Sequence, residues 1–198
     1  MTSQQVRDAY GSVSTLYIDL FGTREQTHPD DLDLLRRHLS LPGRVLDLGC
    51  GPGHLTDYLR SLGVDAAGID MVPSFVAHAR AAFPDGDYRL GSFLELDASS
   101  LAGILAWYSL IHIPPPELDD VLAGFRRAMA PGGVLVTGFF DGGDRLEPFD
   151  HKVATAYRWP VDEFSARLRR AGFTEIERQQ RPADGTQRPL AAIVSLAS

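Results

Sequence analysis

The chain has a single cysteine, Cys50, among its 198 residues. One thiol excludes an intramolecular disulfide and any metal site built from several cysteines. Basic residues are the minority, 19 against 26 acids, for a formal charge of -7. Without a basic excess, a nucleic-acid backbone is not the expected partner. No run approaches the ~18 apolar residues that span a bilayer, and the opening MTSQQVRDAYGSVS lacks the apolar segment of a signal peptide. Repeats and low-complexity tracts are also missing. What is present is a hydrophobic fraction of 44%, enough for a sizeable core, in a length that favours one domain, residues 1–198. The expectation is a cytoplasmic protein, monomer or homodimer, with neither a membrane nor a nucleic acid as partner.

Helix and strand signals alternate along the chain. DLDLLRRHLSLPG (31–43) carries leucines at helical spacing and a Pro-Gly stop. RVLDLG reads as a short strand, HLTDYLRSLG as a helix closed by Gly63, VDAAGID as a second strand, PSFVAHARAAFP as a helix between prolines, and GDYRLGSF as a third strand. LAGILAWYSLI and GGVLVTGFF are apolar throughout, as expected of strands covered on both faces. Between them, PPPELDDVLAGFRRAMAPGG places Leu118, Val121, Leu122, Phe125 and Met129 on one helical face, and its helix is expected to stop at Pro131. VDEFSARLRRAGF is a late helix, and the remainder reads as two strands joined through Asp184-Gly185. Residues 141–159 read as a long loop with, at most, a short helix, and loops of that length tend to be functional. Alternating β and α signals imply an open parallel sheet wrapped by helices, with an antiparallel edge. Ligands of such sheets bind outside the carboxyl ends of the strands, at the switch point near strand one.

That point falls on VLDLGCGPGHL, residues 45–55. A dinucleotide fingerprint G-x-G-x-x-G would place its third glycine where His54 stands. Asp47, two residues before the first glycine, would also oppose a pyrophosphate on the following helix. S-adenosylmethionine carries an ammonium, a carboxylate and a sulfonium but no phosphate, so an acid beside the loop is compatible with it. Glycines there let the backbone approach a ligand closely.

The same string is similar, almost letter for letter, to the first motif of the class I S-adenosylmethionine-dependent methyltransferases of the small-molecule type, and the resemblance extends over most of the chain. GID, ending at Asp70, resembles the second motif, whose acid holds both ribose hydroxyls. LGSF (90–93) resembles the third, beside adenine. AWYSLIHI (106–113) resembles the fourth, PGGVLVTGFF the strand after it, and RRAGF (169–173) the end of the last helix. The resemblance implies an α/β fold: a doubly wound, mostly parallel seven-strand sheet with an antiparallel edge hairpin, in three α/β/α layers. It implies S-adenosylmethionine as cofactor and S-adenosylhomocysteine as product. It also implies a binding set of Asp47, Gly49, Cys50, Gly51, Gly53, Asp70, Met71, Ser92, Phe93, Ala106 and Trp107, joined by Tyr10 and Tyr17 from an N-terminal lid segment, residues 1–28. Two positions depart from the family pattern. Ser92 stands where an acid usually meets the adenine amine, and Gly11 follows Tyr10 where the lid is often Tyr-Asp.

Each of these residues also has a purely structural reading. Asp47 can order the loop alone, Asp70 can be a solvated strand-end acid, Met71 and Trp107 can be core, and Ser92 with Phe93 can form a turn. His112, after the fourth motif and before three prolines, is the candidate general base or substrate contact, against a packed histidine. His151, Tyr157, Arg158 and Trp159 are candidates for a second lid-like insertion at 141–159. His28, His38, His54 and His78 are read as non-functional, and no metal site is expected. Methyl transfer is an in-line displacement that needs alignment above all, worth ~7–11 kcal/mol when well oriented, so the lack of a catalytic triad is no objection. The fourth motif lacks the Asp/Asn-Pro-Pro-aromatic signature of nucleic-acid amine methylation, so a small-molecule acceptor is expected. Two alternatives stay open: a non-catalytic binder of the cofactor or its product, and a nicotinamide-dependent dehydrogenase.

Overall fold

Arg44–Leu48 extends as β1 because four of its five residues are buried, on alternating faces between two helical layers. In this computed structural model the described residues are 2–185 and 188–198. Further parallel strands follow: β2 (Asp65–Asp70), β3 (Asp87–Leu90), β4 (Leu101–Trp107) and β5 (Met129–Asp141). The helices are α1 (Ser3–Ser12), α2 (Ser14–Phe21), α3 (Pro29–Leu39), α4 (His54–Ser61), α5 (Pro73–Ala82), α6 (Pro115–Ala128) and α7 (Val161–Arg170). Three of them, α3, α5 and α6, open on a proline in the first turn, where its missing N–H costs nothing. The strands β6 (Glu147–His151), β7 (Ala154–Trp159), β8 (Phe173–Arg181) and β9 (Leu190–Ala197) complete the sheet.

The sheet order is β3-β2-β1-β4-β5-β7-β6, with β9 antiparallel to β5 and β8 antiparallel to β9. Leu46, Leu48, Ile104, Ala106 and Leu135 face the layer of α6 and α7. Val45, Leu105, Val134 and Val136 face α3 and α4. The result is the expected three-layer, mostly parallel sheet with an antiparallel edge pair, and the order reverses between β1 and β4. The expected turn at Asp184-Gly185 lies in the β8–β9 connection, of which residues 186 and 187 are outside the described residues.

Three expectations need correction. The described sheet has nine strands, not seven, because the stretch read as a loop folds into the antiparallel pair β6–β7. Its last two residues continue the sheet in parallel with the end of β5, Phe140 opposite Arg158 and Asp141 opposite Trp159. The burial of Ala154, Ala156 and Trp159 that seats β7 breaks the two-residue alternation, so the sequence does not show it. β4 ends at Trp107 rather than 111, because Tyr108 takes a left-handed conformation, φ 54°. Finally, α6 stops at Ala128, before Pro131, since β5 already begins at Met129.

Candidate active site

The carboxyl ends of β1, β2 and β4 open into a cavity of about 380 Å³, a size common for small-molecule sites. The loop after β1 forms one wall, but its amides are spent within the protein. Gly49 and Cys50 both donate their N–H to the Ile69 carbonyl (2.8 and 3.1 Å), and Gly53 donates to the Cys50 carbonyl (3.0 Å). Gly51 donates to Asp70 Oδ2 at 2.8 Å. A phosphate cradle needs free N–H groups, and these four positions have none. Gly51, at φ 54°, leaves room on its open side: an added Cβ would meet only the Tyr17 ring, at 4.0 Å. Gly53 is glycine for a different reason, since a Cβ there would lie 2.7 Å from Ala79 and 2.8 Å from the Tyr88 ring.

Asp70, at the end of β2, is the buried carboxylate of this cavity. Its Oδ1 accepts from Val72 N–H at 2.8 Å, so each oxygen already holds one backbone donor. Burial raises its pKa, and those donors, with Met71, pull against the rise. Each oxygen keeps lone pairs for a further donor, an arrangement suited to two neighbouring hydroxyls. Met71, Ser92, Phe93, Trp107, Gly49, Tyr10, Tyr17 and His112 line the same cavity, as the sequence reading groups them.

Four of the expected residues do not reach it. Asp47 lies on the α4 side of β1, 1% exposed, where its Oδ2 accepts the Thr56 hydroxyl at 2.7 Å. Burial pushes its pKa up to about 7. Cys50 is buried with Val76, Ala79 and Tyr88, Gly53 packs beneath the loop, and Ala106 is fully buried in the core.

His112 Nδ1 sits 2.8 Å from the Thr155 carbonyl of β7. A carbonyl only accepts, so Nδ1 carries the proton and the neutral ring presents the Nε2 lone pair. Tyr10 donates its hydroxyl to that nitrogen at 2.9 Å. Burial lowers the His112 pKa, which keeps the ring neutral at pH 7. Tyr10 and Tyr17 meet edge to face at 5.6 Å, and both pack on Phe75 of α5, at 6.1 and 5.1 Å. Burial pushes the Tyr17 phenol up to about 12. The β6–β7 pair thus fixes the tautomer of His112, while α1 caps its other nitrogen. His151 stacks edge to face on His112 at 5.6 Å. Its Nδ1 is buried without a partner among the described residues, and burial holds its pKa at about 4. Trp159 is buried under α7, in contact with Phe164, and does not line the cavity.

Sequence reasoning missed Thr2, Ser3, Val6, Phe75, Tyr108, Ser109, Ile113 and Glu117, which also line the cavity. Tyr108, Ser109 and Ile113 were within the fourth-motif string, and Glu117 directly follows the prolines. Phe75 gave no signal beyond a helical apolar position. A second, polar cavity of about 240 Å³ lies behind Trp107 and Tyr108, between the starts of α3 and β9 and the end of β8. There Arg181 is paired with the nearly buried Asp31 at 2.7 Å. Among the described residues no cluster of three His, Cys, Asp or Glu is placed to hold a metal, and no helix is long and apolar enough to cross a membrane.

Residues 45–133 match the family described as Methyltransferase domain. A ubiquinone biosynthesis O-methyltransferase of Xanthomonas campestris is 30% identical over 139 residues, covering 65% of this chain and 57% of that protein. A trans-aconitate 2-methyltransferase of Methylobacterium nodulans is 31% identical over 131 residues, covering 65% of this chain and 49% of its own length. The chain therefore spans about half to three fifths of the length of these two relatives. In fold it is similar to the 1,6-didemethyltoxoflavin-N1-methyltransferase of Burkholderia thailandensis, a structure with bound 1,6-didemethyltoxoflavin and S-adenosylhomocysteine. The TM-score is 0.82 and the identity 20%, over 99% of this chain and 88% of that one. Residues 45–133 thus match a methyltransferase domain, and the fold is that of solved S-adenosylmethionine-dependent methyltransferases.

Proposed function

We propose that the protein transfers a methyl group from S-adenosylmethionine to a small-molecule acceptor, in the cytoplasm and without a nucleic-acid or membrane partner. The observation that carries this reading is the wall after β1: an acid fixed at the cavity by two backbone donors, beside a loop whose four amides are already bonded. Such a wall suits a ribose diol and a cationic centre, and it opposes a diphosphate. That contrast also speaks against the dehydrogenase alternative.

In this reading Asp70 accepts from the two ribose hydroxyls, and Met71, Ser92 and Phe93 border the adenine. Gly49 and Gly51 let the amino-acid end approach the backbone, and Trp107 lies under it. When bound, the donor supplies a methyl group already activated by the sulfonium. The chain then has to align the acceptor, exclude water and receive a proton. Helices α1 and α2 close over the cavity through Tyr10 and Tyr17, and the β6–β7 pair serves as the second covering element. His112 Nε2 is the proton acceptor once the acceptor's X–H replaces the Tyr10 hydroxyl.

One observation favours a second reading, a non-catalytic binder: the Nε2 lone pair of His112 is already taken by Tyr10. Calorimetry with S-adenosylhomocysteine and with NADH tests the cofactor, and tight NADH uptake with no response to S-adenosylhomocysteine would overturn the proposal. Release of S-adenosylhomocysteine during incubation with a cell extract then separates the enzyme from the binder, which releases none.

A further inference from the structure

The charge on the cavity walls bears on the acceptor. Among the described residues, neither arginine nor lysine lines the cavity, whereas two acids do: Asp70, buried, and Glu117, exposed at the rim. Arginines elsewhere at this end of the sheet are engaged. Arg181 lies behind the Trp107–Tyr108 wall, held by Asp31. Arg158 lies over the Phe149 ring at 4.5 Å and pairs with Glu147 at 3.3 Å, and Arg188 lies over the same ring at 5.0 Å.

Besides those two acids the lining is uncharged: Val6, Ile113, Pro114 and Leu94 are apolar, and Thr2, Ser3, Ser92 and Ser109 carry neutral hydroxyls. A carboxylate brought into such a space loses its hydration without gaining a cation, and it faces two charges of its own sign. The sulfonium does not remove this penalty. Its attraction is used by the atom that receives the methyl group, not by a carboxylate elsewhere on the molecule.

Resting on the methyltransferase reading above, we infer that the acceptor is a small, largely apolar molecule with no anionic group: the donor's carboxylate comes with its own ammonium, whereas a carboxylated or phosphorylated acceptor finds no cation in the cavity. A neutral X–H acidic enough to give its proton to imidazole, such as a phenol or a hydroxylated heteroaromatic ring, meets every wall. Methylation then forms the X–CH3 bond as the S–CH3 bond breaks. The X–H proton passes to His112 Nε2, and the sulfonium becomes the neutral thioether of S-adenosylhomocysteine.

The test uses matched pairs that differ by one carboxylate: catechol with 3,4-dihydroxybenzoate, and 4-hydroxyquinoline with its 2-carboxylate. Calorimetry first establishes S-adenosylhomocysteine binding. If that fails, the methyltransferase reading falls, and the acceptor is not the point at issue. Release of S-adenosylhomocysteine then gives kcat/KM for each compound. The expected result is turnover of at least one neutral member, with its carboxylated partner lower by about tenfold or more, the scale of one lost charge partner. Glu117→Arg, which adds a cation at the rim, should narrow that ratio about fivefold or more. Equal or better turnover of the carboxylated compounds by the wild type overturns the inference. So does cofactor binding without turnover of either neutral compound.

Discussion

Asp70 faces the cavity with both oxygens because Gly51 and Val72 donate to them from the two sides of the strand end. In the proposed ribose role, removing the carboxylate leaves the hydroxyls without acceptors, so Asp70→Ala should weaken S-adenosylhomocysteine by about 1–3 kcal/mol in calorimetry; unchanged affinity removes Asp70 from the ribose. This residue was legible from spacing, because its place depends only on where β2 ends. Asp47 was legible as a buried strand-end acid but not in its direction. The strand's two-residue alternation puts it on the face of Val45, toward Thr56, while Leu46 and Leu48 take the other. His112 was legible as a residue near the crevice, but its tautomer was not, since the Thr155 carbonyl that sets it is 43 residues away. His112→Ala should lower kcat by about 10²–10⁴-fold, the usual range for a general base, with cofactor affinity nearly unchanged. The base form is the neutral ring, and burial holds its pKa below the ordinary value. The wild-type rate should therefore be flat above pH 7 and fall in acid, and the alanine variant should lack that acid limb. A wild-type rate with the true acceptor would exclude the base role.

At the scale of elements, α1 and α2 contribute little to the core. Val6 is the only buried residue of α1, and α2 has none. Their contacts are instead with the cavity, through Tyr10 on His112 and Tyr17 on Phe75. Deleting residues 1–20 should leave the sheet folded, with Tm lowered by only a few degrees, about what 1–2 kcal/mol costs in a domain of this size. Turnover should drop about tenfold or more as water enters. Full activity of the shortened chain would show that these helices are not a lid. The helices and parallel strands around them were readable because each carries its own apolar period and proline or glycine punctuation. The β6–β7 pair was not, because its strandedness comes from outside it. Phe140 and Asp141 of β5 supply the parallel partner, and the Ile111 carbonyl accepts Tyr157 N–H at 2.8 Å. Isolated from that edge, EPFDH and ATAYRW have the composition of a polar loop.

Across the whole molecule, two sets of buried groups titrate in the same window with opposite effect. Burial holds His54 and His151 at about 4, whereas the unfolded imidazole titrates near 6.5. Between those values the unfolded chain binds more protons, so this share of stability is complete above pH 6.5 and is lost as pH falls toward 4. Asp47 runs the other way. Its pKa rises from 3.8 to about 7, so the native state holds the extra proton, and its share is complete below about 4 and lost as pH rises through 7. The opposed terms should leave the wild type with a shallow dependence between pH 4.5 and 7. Asp47→Asn keeps an acceptor for the Thr56 hydroxyl and removes one side of the balance. That variant should lose roughly 2–3 kcal/mol on acidification from pH 7 to 4.5, from His54 with a smaller, solvent-screened part from His151. His54→Gln removes the other side and should be more stable at pH 4.5 than at 7, relative to the wild type. Urea unfolding of the three proteins at both pH values measures this directly. The two variants must diverge from the wild type in opposite directions, and parallel responses would mean that neither the histidine nor the aspartate is buried in the state the structure describes.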